Sequence, residues 1–188
     1  MILPLKSDAT VYQIKVTLKD TRPPIWRRFQ VTGETRLSKL HDTVQVVMGW
    51  TNSHLHEFVI GDRHYGEPDE DSPDELIDER NVLVSQVVDQ EGQTFGYDYD
   101  FGDDWNHELL VEKILPNEAG VRYPRCLEGA RACPPEDSGG PWGYEEKLQI
   151  LKNPAHPNHR EIATWMRKKF DAEAFDLSAT NKALKSIR

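Results

Sequence analysis

The chain has little sulfur: two cysteines, Cys126 and Cys133, in 188 residues. Two thiols make no disulfide framework, so a reducing compartment is expected. No apolar run approaches the roughly 20 residues that cross a bilayer. The opening stretch MILPLKSDAT lacks the long apolar core and cleavage site of a secretory leader. Together these absences predict a cytoplasmic protein with no membrane partner. Positive charge is also scarce. Lys and Arg number 23 against 32 Asp and Glu, giving a net charge of −9. A nucleic-acid binder usually carries a basic footprint, which this acidic balance disfavours. There is no glycine-rich phosphate loop, no GxSxG elbow and no HExxH. The signals of the common enzyme classes are missing.

What is present is strong alternation. Tyr12, Ile14, Val16 and Leu18 alternate with polar residues, which predicts a half-buried strand. Arg22-Pro23-Pro24 breaks it, and Ile25 to Val31 reads as the returning strand. Leu37, Leu40, Val44, Val47 and Met48 fall at helical spacing, predicting a helix from Thr35 to about Met48 with Thr35 or Glu34 as cap and Gly49 at its end. A strand from His54 to Ile60 follows. Glu67 to Glu79 holds eight acids and reads as a solvated loop with a helical turn near Leu76 and Ile77. Val82 to Val88 is a short buried element. A hairpin begins at Phe95, Asn117 to Gly143 is a loop, and helices are expected from Tyr144 and from His159 to Phe170. Asp137 or Ser138 would cap the first of these. Strands first and helices last predict an α+β fold: a mostly antiparallel sheet, β-β-α-β order, a helix after the first hairpin, and C-terminal helices. Residues 1–188 are read as one domain, with 144–188 as its helical C-terminal part.

The stretch Phe95 to Glu112 is the most informative. Tyr97, Tyr99, Phe101, Trp105, Leu109 and Val111 occupy odd positions; Asp98, Asp100, Asn106 and Glu108 occupy even ones. The odd sets share a face only with an odd-length loop. The shortest choice, Gly102-Asp103-Asp104, pairs Phe101 with Trp105, Tyr99 with His107 and Asp98 with Glu108.

Several blocks carry a family resemblance. They are YQIKVTLKDTRPPIWRRFQV (Tyr12 to Val31), LSKLHDTVQVVMGWTNSHLHEF (Leu37 to Phe58), YDYDFGDDWNHELLVE (Tyr97 to Glu112) and CLEGARACPPEDSGGPWGY (Cys126 to Tyr144). FDAEAFDLSATNKAL (Phe170 to Leu184) extends it. In these blocks the chain resembles the plasmid pRiA4b ORF-3-like family, also known as insertion-element passenger proteins. The resemblance implies a compact α+β domain and a genomic setting among mobile elements, but no settled activity.

The residues leave three functional readings open. The first is a binding or interaction module with a protein partner. Its working surface would combine Asp98, Asp100, Asp103, Asp104, His107 and Glu108 with Glu136 and Asp137 of the loop Pro134 to Gly140. Prolines and paired glycines stiffen that loop. The second is a metal-dependent hydrolase holding a divalent ion on Asp98, Asp100, Glu108, Glu136 or Asp137, with His107 as acid or base. A second possible metal set is His41, His54, His56 and Glu57, because His-x-His in a strand puts two rings on one face roughly 7 Å apart. Packed, hydrogen-bonded histidines are the plainer account of that set. The third is a nucleic-acid accessory protein using Arg22, Trp26, Arg27 and Arg28, arginines interleaved with an aromatic, with Lys152 and Arg167 to Lys169 adding charge. Those arginines could instead dock the hairpin acids. Cys126 and Cys133 are loosely spaced for a zinc site that His156 and His159 could complete, and two reduced cysteines in a rigid loop are the plainer account.

Overall fold

The computed structural model describes residues 10–69, 76–166 and 170–187. β1 (Thr10–Leu18) and β2 (Ile25–Thr32) form the first hairpin, and α1 (Leu37–Met48) follows. Next come β3 (His56–Ile60), β4 (Arg63–Gly66), β5 (Ile77–Asp78), a 3-10 turn over Glu79–Asn81 and α2 (Val84–Val87). β6 (Thr94–Tyr99), β7 (Trp105–Pro116) and β8 (Arg125–Ala130) complete the strands. α3 (Gly140–Lys152), α4 (His159–Trp165) and α5 (Leu177–Leu184) close the chain. The eight strands make one sheet in the order β5-β4-β3-β6-β7-β1-β2-β8. Every pairing is antiparallel except β4 with β5.

The alternation of β1 works as expected. Tyr12, Ile14, Val16 and Leu18 are buried, as are Ile25, Phe29 and Val31 of β2. Leu37, Leu40, Val44 and Val47 bring α1 onto the same core. Gly49 ends α1 in the left-handed region at φ 106°, a conformation that suits a residue without a Cβ. The other end differs from expectation: Arg36 occupies the cap with no side-chain hydrogen bond. The main chain ties that end down instead, since Leu37 N–H donates to Val82 O at 2.9 Å.

The outer face of β1, β2 and β7 carries a polar lattice. Gln13 donates to Glu112, Gln30 donates to Gln13, and Arg125 donates to Gln30. A β-bulge leaves Glu112 without an opposite partner in β1. Glu112 there receives a fork from Arg28, Nε at 2.5 Å and Nη2 at 2.8 Å. The hydrogen bonds from Arg28 hold the Glu112 carboxyl below its ordinary pKa.

Three further expectations are corrected. Leu76 and Ile77 make no helical turn; Ile77 enters β5. The segment read as a loop from Asn117 to Gly143 contains β8, which pairs with β2. Its strand pattern is weak because only Cys126 of its six residues is fully buried. Neither Asp137 nor Ser138 caps α3, whose N-cap is Gly139 at φ 79°.

Candidate functional site

The β6–β7 hairpin sets up the site, and its register differs from the shortest choice. Tyr99 faces Trp105, Tyr97 faces His107 and Gly96 faces Glu108. Odd residues still meet odd ones, but the loop runs over five residues, Asp100 to Asp104. Asp100 causes this. Its Oδ1 accepts from the N–H groups of Gly102 and Asp103, and its own N–H donates to Leu55 O rather than to β7. The chain therefore leaves the ladder two residues early and Phe101 projects outward, 56% exposed.

Asp98 accordingly does not face Glu108. It faces Asn106 in β7 and Glu57 in β3. Burial, and then the Glu57 charge, push the Asp98 carboxyl above its ordinary pKa. Glu57 is paired in turn with His64 at 2.9 Å. Asp98 and the exposed Glu108 belong to the outer face of the sheet, and Asp104 is exposed beside the turn. His107 is buried in the core, its Nδ1 on Tyr97 O at 3.0 Å. Burial lowers its pKa to about 4, so it is neutral at pH 7 and closed to an acid–base role at the surface.

The remaining acids converge. Asp103 Oδ2 accepts from Gly139 N–H at 2.8 Å, joining the turn to the loop before α3. Glu136 Oε1 accepts from Thr51 N–H at 2.9 Å and from the Tyr99 hydroxyl at 3.1 Å. Trp50 Nε1 donates to Pro134 O at 3.0 Å, and Lys147 Nζ to Ser138 O at 2.9 Å. The loop is thus held from four directions. His54 stands at its centre. His54 Nε2 lies 3.3 Å from Asp137 Oδ1, 3.5 Å from Asp100 Oδ2 and 4.0 Å from Glu136 Oε2. This donor set of one imidazole nitrogen and several carboxylate oxygens is the kind that holds divalent ions.

The second expected metal set is divided. β3 starts only at His56, so His54 is not its strand neighbour on one face. His41 and His56 stack at 3.4 Å between ring centroids. Both ring nitrogens of His41 are occupied, by the Tyr97 hydroxyl at 2.8 Å and Asn52 Oδ1 at 2.9 Å. Burial and then His56 lower the His41 pKa to about 4. His56 meets the buried Glu79 at 3.0 Å. Glu57 points away with the outer face. The stack lines a cleft of about 1010 Å³, with Arg36, His54 and Arg80 among its walls.

The arginine–tryptophan set does not form a phosphate-facing patch. Arg27 is 2% exposed and donates to the carbonyls of Val47, Trp26 and Ala130. Arg28 spends its charge on Glu112 and Glu128, and lies over Trp26. Only Arg22 is exposed. The docking of these arginines on Asp98 or Glu108 is likewise replaced by Glu112. Arg167 to Lys169 lie outside the described residues. Burial raises both cysteine thiols, which keeps them protonated at neutral pH.

The residues that sequence reasoning missed are Thr51, Tyr99 and the backbone of Gly139. Thr51-Asn52-Ser53 is turn-forming in composition and could have separated His54 from the strand. Gly140 offers a direct test of the junction. It sits at φ 67°, and a Cβ there would overlap the Asp103 carbonyl oxygen. Gly140→Ala should cost about 2–4 kcal/mol in urea unfolding through strain and overlap. A loss below about 0.5 kcal/mol, the scale of an ordinary surface change, would mean that the turn and loop are not in contact.

The architecture is that of an α+β protein built on one largely antiparallel sheet, with a stiffened loop locked onto a hairpin turn. The chain belongs to the family of plasmid pRiA4b ORF-3-like proteins, whose model matches residues 10–179. It is 44% identical over 181 residues to uncharacterized protein y4hQ of Sinorhizobium fredii (strain NBRC 101917 / NGR234), covering 95% of this chain and 93% of that one. It is also similar to the crystal structure of the protein of unknown function MM3350 from Methanosarcina mazei Go1. That match has a TM-score of 0.85 and 39% identity, over 91% of this chain and 97% of the other. No helix among the described residues is long and apolar enough to cross a membrane.

Proposed function

We propose that this protein is an interaction module for a basic protein segment that carries apolar side chains. The observation that carries the reading is the placement of exposed apolar groups. Leu55, Phe101 and Trp142 are 64%, 56% and 86% exposed. Leu55 and Phe101 adjoin the acidic junction, and Trp142 lies next to it, lining a hollow with Arg22 and Arg131. Leu55 follows His54 and bonds the turn through its carbonyl; Phe101 follows Asp100; Trp142 is in the first turn of α3, just past the Gly139–Asp103 bond. Leu55 and Phe101, brought together at one acidic end by the Asp100–Leu55 hydrogen bond, mark an interaction surface that Trp142 extends along the molecule. Asp100, Asp103, Glu136 and Asp137 supply negative charge there, and a basic partner complements it.

The test uses two labelled amphipathic peptides of equal length, one of Lys and Leu, the other of Glu and Leu. Fluorescence anisotropy should show binding of the Lys/Leu peptide, weakening with salt. The triple variant Leu55→Ala, Phe101→Ala, Trp142→Ala should fold normally and lose that binding. Equal binding of both peptides, or unchanged binding by the triple variant, would refute the proposal.

A further inference from the structure

We infer that His54, Asp100 and Asp137 form a binding site for a first-row divalent transition ion of the Zn²⁺ or Mn²⁺ kind. This goes beyond the partner reading and does not depend on it. His54 Nε2 is buried and makes no hydrogen bond, although three carboxylates surround it. None of their oxygens, at 3.3 to 4.0 Å, makes a hydrogen bond with it.

Asp100 adds an independent sign. Its side chain is only 10% exposed. Backbone N–H groups take Oδ1, while Oδ2 has no hydrogen-bond donor among the described residues and turns toward His54. That oxygen is left free to take a ligand, while its carboxylate is held in place through Oδ1. Among the described residues, these three are the group whose donor atoms lie close enough together, within 4.8 Å, to share one ion.

The two spacings from His54 fit an ion. A tetrahedral centre with bonds of roughly 2.0–2.1 Å keeps its ligand atoms roughly 3.3 Å apart. His54 Nε2 stands 3.3 Å and 3.5 Å from the two aspartate oxygens. Glu136 is one step further out at 4.0 Å, oriented by Thr51 and Tyr99 as an outer carboxylate would be. The donor set decides the class: an all-oxygen site suits Mg²⁺ or Ca²⁺, whereas the imidazole favours Zn²⁺ and the two carboxylates also suit Mn²⁺. The ligands come from three separate segments, so a bound ion would pin the approach to β3, the hairpin turn and the loop together.

The experiment is calorimetric titration of untagged, chelator-treated full-length protein with Zn²⁺, Mn²⁺, Mg²⁺ and Ca²⁺ salts. Zn²⁺ or Mn²⁺ should bind at one per chain and raise the melting temperature. His54→Ala should abolish this, and Asp137→Ala, a change at an exposed side chain, should weaken it roughly tenfold or more. His64→Ala, a histidine outside the cluster, should leave it intact. Three results would overturn the site. One is no stoichiometric binding of Zn²⁺ or Mn²⁺ by the wild type at millimolar concentration. Another is binding that both site variants retain, which would mean an adventitious ion elsewhere. The last is an NMR titration in which His54 stays protonated at neutral pH with either ion present, which would mean an ion pair only.

Discussion

Replacing Arg27 with methionine should destabilise the protein by about 3–5 kcal/mol, the range for breaking a buried charged network. Methionine keeps the aliphatic stem, so the loss isolates the guanidinium. That group is buried without a carboxylate partner. Burial lowers its pKa, and three carbonyl oxygens at 2.8 Å each, together with the Phe175 ring at 4.2 Å, compensate the charge. The three carbonyls belong to α1, β2 and β8. Without the guanidinium, those of Val47, Trp26 and Ala130 each lose a donor, and an orphaned buried acceptor costs about 1–3 kcal/mol. Gly129 reflects the same arrangement, since a Cβ there would meet Arg27 Cδ at 2.7 Å and the Phe175 ring at 2.8 Å. Denaturant unfolding of Arg27→Met measures the effect. A buried ion can also be replaced by an apolar group at no net cost. A change under about 1 kcal/mol would therefore show that the carbonyl contacts only offset the charge's desolvation.

Stability should also fall steeply as pH drops from about 6.5 to about 4. His41 and His107 both have folded-state pKa values lowered to about 4, with burial as the first cause. The unfolded chain takes up these protons near pH 6.5, while the folded protein refuses them until about pH 4. The unfolded state thus binds more protons throughout that window, and its free energy falls relative to the native state as acid is added. The stability from neutral burial is complete above pH 6.5 and is lost on approach to pH 4. Each ring contributes at most roughly 3 kcal/mol, from about two and a half pKa units. Asp98, with its raised pKa, opposes the trend slightly, and the lowered Glu112 extends it to lower pH. Urea midpoints across the window test the slope. Ring NMR supplies the decisive check: if either imidazole of folded protein titrates near 6.5, the account fails for that residue.

Much of the fold was legible because its central strands alternate cleanly and α1 keeps helical spacing. The parity of the β6–β7 hairpin was also legible, since a core face of Tyr97, Tyr99 and Trp105 forces it. Its register was not. Parity permits loops of three or five residues alike, and the choice depends on what Asp100 bonds, a tertiary matter involving Leu55. β8 was hidden because an edge strand with one deeply buried residue leaves little period to read. The site was half legible. Its acids and the loop Pro134 to Gly140 stood out by composition. The centre on His54 did not, because apparent continuity with β3 placed it beside His56.

The sheet order carries a consequence for how the molecule assembles. β1 is flanked by β2 on one side and β7 on the other. Gln13 reaches Glu112 across 99 residues of chain. During synthesis the first hairpin must therefore wait, one long edge unpaired, until β7 has left the ribosome. Distant pairings of this sort slow folding, and an open edge attracts neighbouring chains meanwhile. The lysines at positions 15 and 19 place positive charge along that waiting edge, a brake on premature association.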